Sequence, residues 1–290
     1  RAMFKMMIPE FIDANGLRFG YLSQGQGPLV ICMHGFPDTP YTYCDLMRRL
    51  SERGYRVVAP FSRGYAPTEI PANNSFSMED FGRDILALIE AFDAPDAYLI
   101  GHDWGATAVY AASALAPNKV IKAVTAAVPH PHAMKLTAAQ IRKSWYMFFF
   151  QLPWFPERKI KKDNYALIEK LCRDWSPGLF EADATYYINE FKRALSKDEH
   201  LLAALGYYRA LFGSANTKRV ADLFAEPISV PTLTMAGEND GCIGAEHFSN
   251  MKPFFSDQLD IEILPDAGHF MHLEQPEVFA THILNFFEQE

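Results

Sequence analysis

The chain is predicted to fold as an α/β domain, in which a mostly parallel β-sheet carries helices on both faces. Short apolar runs alternate with helical stretches over most of its 290 residues, an arrangement typical of this class. The run at residues 29–33 is apolar throughout and the run at 56–59 nearly so, as expected for strands covered on both faces. Ligands of such sheets bind beyond the carboxyl ends of the strands, so side chains at those ends are the first candidates for function.

The first element is predicted to be a β-hairpin, because Asn15-Gly16 separates two short strand-like stretches at residues 11–13 and 17–23. The remaining strands are predicted at residues 29–33, 56–59, 97–100, 121–128, 232–236 and 261–264. Helices are predicted at residues 43–53, 78–92 and 106–116, with a final amphipathic helix from about Pro276.

The alternation breaks between Val128 and Thr232, where helical patterns and many aromatic residues occur without a convincing strand. This stretch is interpreted as a helical cap inserted at residues 129–221, with residues 1–128 and 222–290 forming the core domain. Phe149 and Trp154 are expected to help line an apolar pocket under the cap. Each ring taken singly has the alternative of packing between cap and core.

Composition excludes several classes of protein. The formal net charge of −8 and the lack of a long Lys/Arg run argue against a nucleic-acid partner, and the densest basic cluster, at residues 158–162, is interpreted as a solvated helix face. The four cysteines are widely spaced without a CxxC pair, which favours neither a zinc site nor a disulfide framework. No apolar run reaches the roughly 20 residues of a membrane span and the first residues do not resemble a signal peptide, so a cytoplasmic protein is expected.

The most informative motif is Gly101-His102-Asp103-Trp104-Gly105, which lies between an apolar strand and a helix. Glycines two places before and after Asp103 allow a sharp turn that exposes the central side chain, as in a nucleophile elbow. A carboxylate is already ionised at neutral pH and suits displacement at a saturated carbon, which leaves an alkyl ester to be hydrolysed. The alternative is an Asp that merely favours a helix N-terminus.

Three further positions follow predicted strands. In His34-Gly35-Phe36-Pro37, the backbone amide of Phe36 is placed to pair with that of Trp104 as an oxyanion hole, and both side chains are expected to face the substrate. Asp240 and His269 follow the next two strands along the chain, in the order nucleophile, acid, histidine. Asp240 would orient the imidazole so that its second nitrogen takes a proton from water. A turn aspartate and a loop histidine are the alternatives when each is considered alone.

These motifs resemble those of α/β-hydrolase fold epoxide hydrolases, from about Leu29 to the C-terminus. Val128-Pro129-His130-Pro131 is also similar to that family. The resemblance implies two cap tyrosines that hydrogen-bond the epoxide oxygen, and Tyr146 and Tyr208 match them. Tyr207 competes with Tyr208, but neighbours on a helix point about 100° apart, so one of the two should face away.

The resemblance implies hydrolysis of a small apolar epoxide to a vicinal diol through an ester on Asp103, with water activated by His269 and with no metal or organic cofactor. One departure is the stretch at residues 61–66, Phe-Ser-Arg-Gly-Tyr-Ala, where many relatives have Asp-x-Arg-Gly-Tyr-Gly. It lies beside the predicted site, so it concerns loop packing more than chemistry.

Haloalkane dehalogenases are the main alternative, because they share the fold, the Asp-Trp elbow and the ester intermediate. They bind the departing halide with the indole N–H of the residue matching Trp104 and with a second N–H donor. Phe36 occupies the usual place of that donor and has none to offer, although Trp145 or Trp154 could replace it. Fluoroacetate dehalogenases fit less well, since they have Arg where this chain has Trp104. A ligand receptor built on a hydrolase fold is the alternative from another class.

Overall fold

The computed structural model describes residues 7–180 and 185–290. Its eight strands form one sheet in the order β1-β2-β4-β3-β5-β6-β7-β8. The strands from β3 onward run parallel, whereas β2 pairs antiparallel with β1 and β4, so the predicted mostly parallel sheet is confirmed. The strands are β1 Glu10–Ala14, β2 Leu17–Gln24, β3 Leu29–Met33, β4 Arg56–Pro60, β5 Ala97–His102, β6 Val120–Ala126, β7 Thr232–Gly237 and β8 Leu259–Leu264.

Helices precede or follow most strands and cover both faces of the sheet. Helix α2 packs on α3, and α1 packs on α11. The helices are α1 Cys44–Glu52, α2 Met78–Ala91, α3 Trp104–Leu115, α4 Ala138–Lys143, α5 Trp145–Phe149, α6 Phe155–Trp175, α7 Thr185–Ala194, α8 Asp198–Arg209, α9 Ser214–Leu223, α10 Met271–Glu274 and α11 Pro276–Phe287.

The sequence places the central elements for clear physical reasons. All five residues of β3 are buried, which explains its continuous apolar run. Helix α2 begins at a capping box, in which Ser77 accepts a bond from the Asp80 amide and Asp80 accepts one from the Ser77 amide. The hairpin turn at Asn15-Gly16 has positive φ at both residues, as a two-residue hairpin loop requires.

Two predicted boundaries differ from the observed ones. Helix α3 begins at Trp104 instead of Ala106, because the Asp103 carbonyl already accepts the Ala106 amide. Strand β6 ends at Ala126 instead of Val128, since Ala127 has a φ of 70° and leaves the extended conformation.

Helices α4 to α9 all lie between β6 and β7, and the described part of this stretch contains no strand beyond a single bridge from Ile228 to Phe255. Cap limits at residues 129 and 221 stay a prediction. Within the described residues, no helix is both long enough and apolar enough to cross a bilayer.

Candidate active site

Asp103 lies at the tip of a strained turn between β5 and α3, with φ 59° and ψ −124°. A Cβ on Gly101 would be 2.1 Å from the Gly105 carbonyl oxygen, and one on Gly105 would be 2.0 Å from the Met33 oxygen. Both glycines are therefore required for the strand and helix to approach each other. An outlier of this kind in a non-glycine residue is typical of functional sites.

The Asp103 carboxylate is only 5% exposed and is held at both oxygens. The Phe36 backbone amide donates to Oδ1 at 2.8 Å, and Nε2 of His269 lies 3.0 Å from Oδ2. A Cβ on Gly35 would come within 2.3 Å of the Asp103 Cβ, so this glycine permits the close approach of the two loops. The amide of Trp104, as the first residue of α3, belongs to the N–H groups that a helix leaves without an internal acceptor.

His269 connects this carboxylate to a second one. Its Nδ1 lies 2.9 Å from Oδ2 of Asp240, while Oδ1 of Asp240 accepts the amides of Cys242 at 2.7 Å and Ile243 at 3.0 Å. The backbone of His269 is also fixed, because its amide donates to the Trp175 carbonyl at 2.9 Å. Asp103, His269 and Asp240 thus form one continuous hydrogen-bonded row, all three buried.

The pKa values of Asp103 and His269 both depart from their ordinary values. Burial opposes ionisation of both groups, yet the pKa of Asp103 is lowered by its hydrogen bond and charge interaction with His269 and by the Phe36 amide. For His269, burial lowers the pKa, but the Asp240 charge and the bonds to both carboxylates outweigh it and raise the pKa to about 10. At neutral pH the row therefore holds an imidazolium between two carboxylates, and both ring nitrogens donate.

Within residues 7–180 and 185–290, two buried groups of three side chains have ligand atoms within 4.8 Å of one another, as a metal site would require. One is Asp103, Cys242 and His269, and in it the carboxylate and imidazole are already joined by a hydrogen bond. The other, beside the row, is Asp38, His102 and His272. Burial lowers the pKa of His102 to about 3, so the ring is neutral, and its Nε2–H donates to the His269 carbonyl at 2.7 Å. His102 therefore helps to fix the His269 backbone.

Tyr146 and Tyr208 contribute to the same cavity as Asp103. This cavity has a volume of about 220 Å³ and a largely apolar lining, to which Asp103, Trp104, Tyr146 and Tyr208 contribute. The rings of Tyr146 and Tyr208 are 5.8 Å apart and nearly perpendicular, and both are buried. Burial, followed by nearby groups that include Asp103, raises the pKa of each hydroxyl well above its ordinary value, so both keep their protons.

Tyr207 is turned away from this cavity. Its hydroxyl donates to the Arg63 carbonyl at 2.6 Å, and its ring stacks on Phe81 at 4.6 Å. The ring of Tyr208, on the other side of α8, contacts the rings of Phe36 and Trp104 at 5.2 Å each. The helical phase thus separates the two neighbours as expected.

Three of the four residues expected to line the pocket lie elsewhere. Trp154 is 74% exposed and borders a different, surface groove, so its placement in the pocket was wrong. Phe149 packs against Trp145 and Phe150 and is not part of the cavity wall. The ring of Phe36 is fully buried between Phe150 and Tyr208, and only its amide reaches Asp103. Trp104 does line the cavity.

The sequence assigned Cys242 neither to a zinc site nor to a disulfide framework, and it gave no indication that this residue lies beside the cavity. The sulfur lies 3.1 Å from the Tyr146 hydroxyl, although the two residues are 96 positions apart. Its place two residues after Asp240 was the available signal, because Asp240 binds both the Cys242 amide and His269. The remaining cavity wall also went unpredicted; it consists of Met78, Thr107, Val128, Pro129, Pro131, Met134, Met147, Leu211 and Ile243.

A buried ion pair at Arg63 holds the loop at residues 61–66, in which Phe61 and Ala66 are the positions that depart from the family pattern. Nε and Nη2 of Arg63 lie 2.7 and 2.8 Å from the two oxygens of Asp84, and Nη1 donates to the Ser75 carbonyl at 2.7 Å. The Ser62 amide donates to Nε2 of His34 at 3.0 Å, which ties this loop to the loop that carries Phe36.

Comparison with known proteins agrees with this architecture. The model of the alpha/beta hydrolase fold family matches residues 28–276. Epoxide hydrolase 4 from Homo sapiens is 29% identical over 96% of this chain and 78% of its own length. The AB hydrolase superfamily protein YfhM from Bacillus subtilis (strain 168) is also 29% identical, over 97% of this chain and 98% of its own.

Among solved structures, a laboratory-evolved variant of a potato epoxide hydrolase superposes with a TM-score of 0.83 at 25% identity, covering 97% of this chain and 99% of that one. The expected resemblance to epoxide hydrolases is therefore confirmed. Because the family model spans most of the chain and the elbow, strand order and interposed helices agree with it, the chain belongs to the alpha/beta hydrolase fold family.

Proposed function

We propose that this protein is an epoxide hydrolase that converts a small apolar epoxide to a vicinal diol through an ester on Asp103. The observation that carries the proposal is the shared cavity, whose largely apolar wall includes a buried carboxylate and two tyrosines that keep their protons. A carboxylate supplies the nucleophile and the hydroxyls supply the hydrogen bonds that an opening epoxide needs. Relatives named epoxide hydrolases support the same reaction.

Ring opening uses the ionised Asp103 carboxylate, whose Oδ1 accepts from the Phe36 amide and whose Oδ2 accepts from His269. Oδ2 is assigned to attack a ring carbon, because Oδ1 then stays on the Phe36 amide as the carbonyl oxygen of the ester. The carbon–oxygen bond of the ring breaks as the ester bond forms, and the Tyr146 and Tyr208 hydroxyls stabilise the charge that develops on the departing oxygen. That oxygen finally takes one proton, and the cationic His269 is the acid within the row that has one to lose.

Ester hydrolysis then requires a neutral His269. The Asp103 charge and hydrogen bond are among the causes that raise the imidazole pKa, and an ester removes the charge and weakens the bond. His269, oriented by Asp240, can then take a proton from water as the water oxygen attacks the ester carbonyl carbon. The amides of Phe36 and Trp104 hold the tetrahedral oxyanion, whose collapse releases the diol and restores the carboxylate and the imidazolium.

The dehalogenase alternative lacks its second halide donor. Trp154 and Trp145 are both exposed and neither contributes to the cavity wall, while Phe36 has no side-chain N–H. The site therefore favours an oxygen leaving group over a halide.

The proposal is tested by trapping the ester. His269→Gln protein is incubated with styrene oxide and, separately, with 1-bromobutane, and the intact protein is weighed. The expected result is a gain of the whole mass of the epoxide, with no gain from the bromide and none in the Asp103→Ala, His269→Gln control. A butyl adduct alone would establish the dehalogenase instead, and binding without any adduct would favour a receptor.

A second experiment follows the oxygen atoms. In one turnover in heavy-oxygen water with enzyme in excess, the added diol oxygen should come unlabelled from Asp103, and label there would refute the ester. Replacing Tyr146 and Tyr208 together by Phe should slow ring opening by at least 10⁴-fold, on the order of 10² for each donor lost. Unchanged turnover in this double variant would remove both tyrosines from the mechanism.

A further inference from the structure

Charge is distributed unevenly between the cap and the rest of the chain. Residues 129–221 contain 15 Lys and Arg against 9 Asp and Glu, whereas the remainder contains 12 against 26. A basic segment in an acidic protein is typical of contact with an anionic surface. Six exposed cations lie in the first part of the cap, namely Lys135, Arg142, Arg158, Lys159, Lys161 and Lys162, and six more are exposed further along it, namely Lys170, Arg173, Arg193, Lys197, Lys218 and Arg219. Among the described residues, only Lys161 of the first six has a salt bridge, to Asp198.

The same part of the cap exposes large apolar side chains. Trp154 is 74% and Phe155 65% exposed, and Leu136 reaches 75%. We call this set the apolar cap surface, and it comprises Leu136, Ile141, Trp145, Phe148, Leu152, Trp154, Phe155, Leu202 and Phe212. Tertiary contacts join two pairs within it: Phe148 and Phe212 have ring centroids 5.7 Å apart, and Trp154 shares a groove with Leu202.

Stability of the fold does not explain why a tryptophan occupies position 154. This residue has a φ of 63°, a conformation that suits Gly or Asn and strains a bulky side chain, yet its indole is not buried in return. Arg158 and Lys161 border the same groove together with Glu157 and Asp198. Asp198 pairs with Lys161 and Glu157 with Arg209, so Arg158 is the cation of this groove that has no salt bridge among the described residues. Trp and Phe next to Lys and Arg are the residues that anchor proteins at the boundary of a bilayer.

Helix α5 contributes side chains both to the apolar cap surface and to the wall of the cavity. Tyr146 and Met147 line the cavity, while their neighbours Trp145 and Phe148 are exposed. One short helix, α5, therefore separates the apolar cap surface from the space above Asp103. A lipophilic molecule dissolved in a bilayer would have a short path from that surface to the nucleophile.

We propose that the apolar cap surface and its ring of cations dock the protein onto an anionic lipid bilayer, with the cavity facing the lipid. Charge complementarity selects this occupant, because the basic cap is attracted to anionic headgroups while the acidic core is held away from them. Exposed aliphatic and aromatic side chains together suit an acyl boundary better than a polyanion such as nucleic acid. Docking on the bilayer does not depend on the proposed function. The idea that an epoxide passes from the bilayer to the cavity does rest on it.

Vesicle partitioning tests the proposal with the intact chain. Tryptophan fluorescence and co-sedimentation are measured with vesicles of phosphatidylcholine alone and of phosphatidylcholine mixed with phosphatidylglycerol. Binding is expected for the anionic vesicles, with a blue shift of emission as Trp154 leaves water, and it should weaken as salt is added. Changing Arg158, Lys159 and Lys162 to Gln should lower the partition coefficient about 100-fold, since each basic residue near such a surface contributes about fivefold.

Matched variants separate docking from general effects. Arg53, Arg83 and Lys119, which are exposed on the core, are changed to Gln as the charge control, and Phe11→Ala serves as the control for Trp154→Ala. Both controls should bind vesicles like the unaltered protein. Equal losses in the controls, or no binding to anionic vesicles, would overturn the proposal. A dimer in light scattering that Trp154→Ala dissociates would assign this surface to a second copy, and binding of nucleic acid in place of vesicles would overturn it as well.

Discussion

The sharpest prediction concerns the proton on His269 and uses Asp103→Asn as an uncharged mimic of the ester. In the unaltered protein the imidazole pKa is raised to about 10. The Asp103 oxygen lies 3.0 Å from Nε2, which at an effective dielectric constant of about 20 corresponds to about 5.5 kcal/mol, or about 4 in pKa. The Asn amide oxygen still accepts a hydrogen bond, which retains about 1 kcal/mol. We therefore expect the imidazole to titrate near 7 in the variant, about 3 below the unaltered value.

The assay is the ¹⁵N chemical shift of the imidazole nitrogens, followed over pH 5 to 11 and assigned by the signals absent from His269→Gln. Intact mass confirms that the Asn amide has not been hydrolysed during the titration. A titration near 6.5 in the unaltered protein, or the same pKa in both proteins, would refute the idea that esterification converts His269 from an acid to a base.

Stability provides an independent check with a defined sign. A group whose pKa is raised on folding stabilises the native state below its ordinary pKa, and that contribution is lost as the pH rises through the folded value. The His269 contribution is therefore complete below about 6.5 and lost through about 10. Urea denaturation should show a larger loss of stability between pH 7 and 10 in the unaltered protein than in Asp103→Asn.

Two further predictions concern residues outside the row. Arg63→Met leaves the buried Asp84 carboxylate without its cationic partner, so the free energy of unfolding measured with urea should fall by about 3 to 5 kcal/mol. Adding Asp84→Leu should recover most of that loss of stability. A single variant as stable as the unaltered protein would show that the ion pair is dispensable. Cys242→Val removes the partner of the Tyr146 hydroxyl and should slow ring opening in single turnovers about 2- to 10-fold, while Cys242→Ser should stay near the unaltered rate. In a Tyr146→Phe background the Cys242 substitutions should have no additional effect, and an additive loss there would contradict the assigned contact.

Local patterns were sufficient for the sheet, for the turn at Asp103, and for the expectation that Asp103, Asp240 and His269 lie together. Asn15-Gly16, the apolar run of β3 and the two glycines around Asp103 each depend on interactions within a few residues, and the structure places them as expected. Asp240 and His269 could be located because successive parallel strands deliver their carboxyl ends to one edge of the sheet.

The cap was much less predictable, because its contacts join residues far apart in the chain. Periodicity showed that Tyr207 and Tyr208 face apart but not which one meets Asp103; the packing of α8 against the Arg63 loop settles their orientation. An aromatic composition could not distinguish Trp104, which lines the cavity, from Trp154, which lies on the surface. The contact between Cys242 and the Tyr146 hydroxyl was likewise invisible, since it spans 96 residues and arises only when cap and core pack together. Short-range order thus follows from neighbouring residues, whereas the shape of the cavity depends on side chains that meet only in the folded chain.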